Sequence, residues 1–239
     1  MERLINKKTV QIHRRKKDLA ATLKKLWKND YFQTAVIIGL IVAVVLGFFY
    51  GSQLVLNTPY PTLTVETGSM CIPYDSFCDG WTHPFARTLH VGDILIVQGV
   101  NPRDLNVNYP NSDIIVFHEP GNPSKLIVHR IAAVQEIDGK LYFQTKGDGN
   151  GLRPWPETPT VSDYDQWSGG QGVPQGIVVG KVIARIPWFG HITLFMNKNP
   201  IGLPIVITLI VLLVVLEFVI PLLKDKRRPV EQKETTQQS

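Results

Sequence analysis

The chain has 239 residues, 44% of them hydrophobic, and a formal net charge of +5. The positive charge is concentrated at the two ends, because residues 1–30 and 224–239 hold 15 of the 25 lysines and arginines. The middle of the chain holds more acidic than basic residues, so the basic isoelectric point gives no support to nucleic-acid binding. A basic segment beside a membrane span more often meets anionic lipid headgroups.

Two apolar runs are long enough to cross a bilayer, which takes about 20 residues. The first has no charged residue from Tyr31 to Val65, and the second, Ile201–Leu223, contains a single acid. The first run exceeds the apolar stretch of a cleavable signal peptide, so we expect a retained anchor. Basic residues are concentrated before the first run and after the second. The positive-inside rule therefore predicts that both termini are cytoplasmic.

These features predict a protein that crosses the cell membrane twice and carries a domain on the extracytoplasmic face. The predicted segments are a cytoplasmic basic tail at 1–30, a transmembrane helix at 31–56, an extracytoplasmic β-rich domain at 57–199, a second transmembrane helix at 200–223 and a cytoplasmic tail at 224–239.

Within the external domain, short runs rich in branched residues alternate with turn residues, which is typical of β-strands. No long amphipathic helix interrupts them. The predicted fold class is therefore mainly antiparallel β, with one N-terminal and one C-terminal transmembrane helix. The predicted strands are Leu63–Val65, Ile94–Val97, Asp113–Phe117, Lys125–Val134, Leu141–Thr145 and Ile177–Ile186.

The stretch Thr67-Gly68-Ser69-Met70 follows the first apolar run by about a dozen residues. Gly-Ser by itself is ordinary turn composition. If the stretch has a chemical role, Ser69 is the nucleophile, which needs a base in hydrogen-bond reach and donors for an oxyanion. The Thr67 hydroxyl and the Ser69 N–H are the candidate oxyanion donors.

Two further residues can complete such a site. His129 falls among aliphatic residues of a predicted strand, where a histidine is more often a hydrogen-bonded core residue. Asp148 lies between two glycines, where an aspartate usually serves the turn. Serine, histidine and aspartate in this order nevertheless permit a Ser-His-Asp arrangement, because such triads are recognised by geometry.

Cys71 and Cys78 are the two cysteines of the chain. An oxidising exterior permits a disulfide between them, which would stiffen the loop after Ser69. The alternatives are two free thiols or half of a metal site. No second cysteine pair or histidine cluster supplies further ligands, so we expect neither a metal nor a cofactor.

Five sequence blocks taken together resemble the type I signal peptidases. Histidine in the third block, where bacterial enzymes usually carry a lysine, resembles the branch found in archaea and the endoplasmic reticulum. The similarity covers about Leu63 to His191. The blocks are Val65-Glu66-Thr67-Gly68-Ser69-Met70, Gly92-Asp93-Ile94-Leu95, Val128-His129-Arg130-Ile131, Lys146-Gly147-Asp148-Gly149-Asn150 and Val179-Gly180-Lys181-Val182.

The resemblance implies that Ser69 attacks the scissile carbonyl, that His129 takes its proton and that an acid orients the imidazole. Asp148 matches one aspartate of the family. The position of a second, which often completes the triad, is occupied by Pro154 within an apparent insertion, Leu152–Val161. Asp165, with Asp163 as the alternative, is expected to replace it.

The resemblance further implies a membrane-anchored serine endopeptidase that removes signal peptides from secreted preproteins. Its expected partners are signal peptides, membrane lipid and the protein-export channel, and no nucleic acid is expected. Ile94, Ile96 and Ile115 are candidate pocket residues for small substrate side chains. The alternatives are a membrane-anchored β-domain with a binding or structural role, and a regulatory or self-processing peptidase of related fold. The first of these predicts that Ser69 and His129 lie far apart.

Overall fold

The computed structural model describes residue 27, residues 30–72, residue 78 and residues 88–225. The chain divides into two compact units, residues 1–59 and residues 60–239. The basic tails predicted at 1–30 and 224–239 lie outside the described residues, apart from residues 27, 30, 224 and 225.

The first unit contains helix α1, Asp30–Val55. Among the described residues, its segment Phe32–Val55 is the one helix long and apolar enough to cross a membrane. Its large side chains are exposed on every side, for example those of Leu40, Ile41 and Val42, three consecutive residues that point in different directions from the helix axis. A helix that is apolar all round suits a lipid environment, so the predicted N-terminal apolar helix is present.

The second unit is built on a seven-stranded sheet in which every neighbouring pair is antiparallel, in the order β1-β2-β7-β3-β4-β5-β6. The prediction of a mainly antiparallel sheet is confirmed. The two-residue strand β6 was missed because it is too short to show a period of two. The strands are β1 Thr62–Thr64, β2 Ile94–Gln98, β3 Ile114–Glu119, β4 Asn122–Ile137, β5 Lys140–Lys146, β6 Val173–Pro174 and β7 Val178–Ile186.

Both faces of the sheet are packed, as the alternation along β3 shows. Ile115 and Phe117 lie in one buried cluster, whereas Val116 lies in another. Successive side chains of a strand point to opposite faces, so each face has its own core. Full burial of a side chain as large as that of Phe117 contributes about 1.5–3 kcal/mol. The catalytic candidates are therefore mounted on a rigid support.

Two helices follow the sheet, α2 at Gly190–Lys198 and α3 at Gly202–Asp225. The sequence did not predict α2. It ends before Asn199, whose extended backbone is the conformation favoured ahead of a proline. The apolar part of α3 among the described residues, Gly202–Leu216, is shorter than a typical membrane span. The C-terminal helix is present, but its described apolar part does not by itself establish a second span.

A candidate serine-histidine-aspartate site

The candidate nucleophile lies on a short 3-10 turn, Gly68–Met70, that follows β1. The Cys71 N–H closes this turn on the Gly68 carbonyl at 2.9 Å. The Met70 side chain is buried in the core and fixes the turn against the sheet. Thr67 precedes the turn in an extended conformation and its side chain makes no capping hydrogen bond to it. The Thr67 hydroxyl is therefore not committed to holding the turn.

A second loop holds the backbone of the nucleophile. The Gly149 N–H donates to the Ser69 carbonyl at 3.0 Å. A Cβ atom on Gly149 would overlap the Cys71 carbonyl oxygen, and one on Gly147 would overlap that of Ser69. The two backbones meet this closely because neither position carries a side chain. The glycines flanking Asp148 thus fix where Ser69 stands.

The structure joins Cys71 and Cys78 in a disulfide with a Cα–Cα distance of 5.7 Å. Both cysteines are buried. Of the three arrangements that the sequence left open, the structure contains the bridge. The bridge ties Cys71, the residue that follows the nucleophile turn, to Cys78.

His129 lies on β4, where it pairs with Ile115 of the neighbouring strand β3. Its Nε2 is 3.0 Å from the Ser69 Oγ. The residue is buried, and its strand lies between β3 and β5 in the sheet, so the ring has little freedom to turn away. The separation of Ser69 and His129 predicted for a binding module is not found.

Asp165 completes the arrangement. Its Oδ2 is 2.6 Å from the His129 Nδ1, and the Thr145 hydroxyl donates to the same oxygen at 2.8 Å. A carboxylate only accepts hydrogen bonds, so Nδ1 carries the proton and Nε2 presents a lone pair to Ser69. Trp167 in turn donates its indole N–H to the Thr145 oxygen at 3.0 Å. This chain of donors leaves the imidazole in the tautomer that a general base requires.

Asp148 is close to the nucleophile but does not contact His129. Its two carboxylate oxygens accept from the Arg130 Nε at 2.7 Å and the Arg130 Nη2 at 2.8 Å. The Arg130 guanidinium also stacks on the Trp155 ring, 5.1 Å from the ring centre. The expectation that Asp148 is a catalytic acid is not matched by this geometry, because both oxygens are committed to a buried two-point ion pair.

Asp163 is bound by Thr160 and Arg153. Its Oδ2 accepts from the Thr160 backbone N–H at 2.8 Å, from the Thr160 hydroxyl at 2.9 Å and from the Arg153 Nη1 at 2.8 Å. The Thr160 backbone bond, with the hydroxyl and the guanidinium, holds the pKa of the Asp163 carboxyl well below its usual range. Of the two alternatives for the second acid, Asp165 is the one in contact with His129.

The insertion Leu152–Val161 explains how a late aspartate reaches the site. The Trp155 N–H donates to the Asp148 carbonyl at 2.8 Å, and its indole N–H donates to the Pro110 carbonyl at 2.8 Å. The chain leaves the sheet, covers the Arg130–Asp148 pair and returns. The Asp165 N–H then donates to the Thr145 carbonyl at 2.9 Å, which restores pairing beside β5.

Sequence reasoning missed Thr145, Trp167 and Arg130 as parts of the site. The sequence did contain a sign that Arg130 is buried. The period of two puts Arg130 on the face of the strand opposite His129, and both faces of the strand are buried at this point. A buried guanidinium requires a carboxylate.

Ile115 is fully buried and cannot line a substrate pocket, whereas Ile94 and Ile96 are partly exposed. In the described part of the chain, no group of three or more His, Cys, Asp or Glu residues is arranged to hold a metal.

No protein-family model matches the chain. The chain is similar to the signal peptidase complex catalytic subunit SEC11C of Homo sapiens, at 26% identity over 185 residues that cover 77% of this chain and 81% of the human protein. The predicted resemblance to the type I signal peptidases is confirmed. The SEC11 subunit of Verticillium alfalfae is 24% identical over 75% of this chain and 88% of its own length. The sec11 subunit of Neurospora crassa is 25% identical over the same two fractions.

Proposed function

We propose that this chain is a membrane-anchored serine endopeptidase that removes signal peptides from secreted preproteins. The observation that carries the proposal is the connected chain from the Ser69 hydroxyl through His129 to Asp165, at 3.0 Å and 2.6 Å. The relatives are named as catalytic subunits of signal peptidase complexes. Acyl transfer by an activated serine is the chemistry that this geometry can perform.

In the first half-reaction the Ser69 Oγ attacks the scissile carbonyl carbon. His129 accepts the hydroxyl proton on Nε2 and becomes an imidazolium, which the Asp165 carboxylate stabilises through Nδ1–H. The bond between the carbonyl carbon and the leaving nitrogen then breaks, and His129 returns the proton to that nitrogen. Water repeats the sequence on the Ser69 ester, which releases the signal peptide and restores the hydroxyl.

The negative charge that forms on the substrate carbonyl oxygen needs donors set in place before the reaction. We assign this role to the Ser69 N–H and the Thr67 hydroxyl. Both lie at the start of the nucleophile turn, and the Thr67 side chain makes no capping hydrogen bond to that turn. A neutral hydroxyl stabilises the developing oxyanion without introducing a charge that would compete with His129.

The substrate is an extended segment with small residues at its cleavage site. We propose that it adds to the outer edge of β1. Among the described residues this strand pairs with β2 alone, and it ends five residues before Ser69. Main-chain hydrogen bonds to such an edge recognise any extended sequence, and shallow pockets then select side chains. Ile94 and Ile96, partly exposed on β2, are the pocket candidates that the burial pattern leaves open.

Helix α1 is the proposed membrane anchor, and about a dozen residues connect it to Ser69. We further propose that α3 is a second span, that both basic tails are cytoplasmic and that the peptidase domain occupies the extracytoplasmic face of the cell membrane. Membrane lipid, other subunits and the protein-export channel are its proposed partners.

The test is cleavage of a signal-peptide-bearing preprotein by the purified full chain in detergent or lipid. The wild type is expected to release the mature protein, and Ser69→Ala and His129→Ala are expected to lose nearly all activity while keeping the wild-type melting temperature. The matched controls are Ser124→Ala and His118→Ala. Each removes a side chain that makes an exposed hydrogen bond elsewhere in the domain. Normal cleavage by Ser69→Ala would falsify the proposal.

A further inference from the structure

Asp165 is bound at two points by a single residue, Thr145. The Thr145 carbonyl accepts from the Asp165 N–H at 2.9 Å, and the Thr145 hydroxyl donates to the Asp165 Oδ2 at 2.8 Å. Thr145 is fully buried and is the last residue but one of strand β5. A β-branched side chain has few χ1 rotamers. The sheet therefore sets where the Thr145 hydroxyl stands.

A neighbouring indole fixes the direction of the Thr145 hydroxyl proton. The Trp167 indole N–H, which can only donate, is 3.0 Å from the Thr145 Oγ1. The hydroxyl oxygen is therefore the acceptor in its contact with Trp167. The Asp165 carboxylate can only accept, so it takes the single proton of the hydroxyl. Between these two partners the Thr145 hydroxyl has one hydrogen-bonded orientation.

Trp167 connects this hydroxyl to the core of the sheet. Its ring packs edge-to-face on that of Phe117, with the ring centres 5.9 Å apart and the ring planes at 76°. Phe117 is fully buried and belongs to the same cluster as Ile115, the strand neighbour of His129. The Trp167 backbone N–H also donates to the Asp165 carbonyl at 2.9 Å. The indole is thus held by the core and by the residue whose carboxylate it helps to position.

Both side-chain hydrogen bonds of Asp165 end on the same oxygen. The Oδ2 accepts from the His129 Nδ1 at 2.6 Å and from the Thr145 hydroxyl at 2.8 Å. The last torsion of an aspartate is soft, and this side chain is 15% exposed. A single donor would leave the carboxylate free to turn. The second donor defines which oxygen faces the imidazole and from which direction.

We propose that Thr145 is a positioning residue of the peptidase site, and that Trp167 supports it by directing its hydroxyl proton. This inference rests on the proposed function. Neither residue contacts the reacting atoms. Both act when His129 becomes an imidazolium, because Asp165 must then hold the charged ring until the proton passes to the leaving nitrogen. A carboxylate free to turn loses part of that stabilisation, so the effect falls on kcat and not on substrate binding.

The experiment is steady-state cleavage of a signal-peptide-bearing preprotein by the full-length protein in detergent. Thr145→Val removes the hydroxyl at nearly constant volume, and kcat is expected to fall about tenfold or more with KM nearly unchanged. Thr145→Ser keeps the hydroxyl and is expected to stay within about twofold of the wild-type kcat. Thr193→Val makes the same substitution at an exposed position of α2 and is expected to change neither constant.

Trp167→Phe tests the indole N–H, because it keeps an aromatic ring against Phe117. The kcat is expected to fall about threefold when Thr145 is intact. In the Thr145→Val background the same change is expected to cost less than about 1.5-fold, because the indole acts only through the hydroxyl. The double variant leaves no indole N–H without its acceptor, so it should melt no lower than Thr145→Val alone.

A packing role for Thr145 predicts the opposite order of variants. Valine, which has nearly the same shape, would then keep the wild-type kcat, and serine, which lacks the methyl group, would lose it. That order, or a Trp167→Phe loss of equal size in both backgrounds, would overturn the inference. If Thr145→Val does not fold, Trp167→Phe decides alone, and an unchanged kcat overturns the inference. Failure of the wild type to cleave would instead count against the proposed function.

Discussion

Two aspartates of one loop, Asp148 and Asp165, occupy opposite sides of strand β5 and have different partners. Asp148 gives both oxygens to a buried guanidinium, whereas Asp165 gives one oxygen to an imidazole and a hydroxyl. The first arrangement is complete in the resting protein and has no capacity to respond to the reaction. The second is strengthened when His129 becomes charged. The partner that the fold supplies, and not the residue type, decides which acid supports catalysis.

The difference also separates stability from activity. A buried two-point pair between Arg130 and Asp148 holds a loop whose Gly149 N–H positions the Ser69 backbone. Asp165 lies at the end of the same loop with a side chain that is 15% exposed and in contact with His129. Substitutions at the two positions should therefore fail in distinguishable ways.

The largest expected effect is that of Asp165→Asn. The amide cannot hold the imidazole in the required tautomer or stabilise the imidazolium, so kcat should fall by about 10³–10⁴-fold. The melting temperature should stay close to that of the wild type. Single-turnover cleavage of a preprotein measures the loss. A loss below tenfold would mean that another group orients His129.

Asp148→Asn comes next and should act through folding. Removal of one partner leaves the Arg130 guanidinium buried without its counter-charge, which costs about 3–5 kcal/mol. Thermal unfolding should show a large fall in melting temperature, and the pH profile of any remaining activity should keep its shape. A stable Asp148→Asn protein with an altered profile would place Asp148 in the catalytic group after all.

Thr67→Val tests the oxyanion donor at nearly constant side-chain volume. The loss of one prearranged donor should lower kcat about a hundredfold and leave KM nearly unchanged. Thr67→Ser keeps the hydroxyl and serves as the matched control, with activity close to that of the wild type. Equal losses in both variants would indicate a packing role for the Thr67 methyl group.

The smallest expected effect is that of Asp163→Asn, and it should depend on pH. The pKa of Asp163 is lowered in the folded protein. Its carboxylate therefore contributes its full stabilisation at pH values above the usual pKa of a carboxyl group, and this stabilisation is lost as the pH falls toward the lowered pKa. The variant should melt below the wild type at pH 7, and the gap should shrink as the pH falls toward 3. A gap that is independent of pH would show that the carboxylate charge is not responsible.

The strands of the sheet were predictable because each is marked by a local run of branched residues. The branched residues of Ile94–Val97 and Asp113–Phe117 specify strands without reference to the rest of the chain. Helix α2 was missed because nine residues with apolar groups on two sides give no clear period. The two-residue strand β6 gives none at all.

The residues of the site were predictable where they belong to the five blocks that resemble the type I signal peptidases. Ser69 and His129 could be named from their blocks, but their 3.0 Å contact depends on the packing of the nucleophile turn against β4. The choice between Asp163 and Asp165 could not be made, because it depends on where the insertion returns to the sheet. The local contact between Thr160 and Asp163 shapes the loop before this return. The return itself is set by the pairing of Asp165 with Thr145, which is distant in the sequence.

The most direct test of the account is a double-mutant cycle between His129 and Asp165. If Asp165 acts only through the imidazole, then Asp165→Asn should cost about 10³-fold or more in the wild type and less than about twofold in the His129→Ala background, measured by single-turnover preprotein cleavage. The same loss in both backgrounds would contradict the account, because Asp165 would then contribute to cleavage independently of the histidine that it contacts.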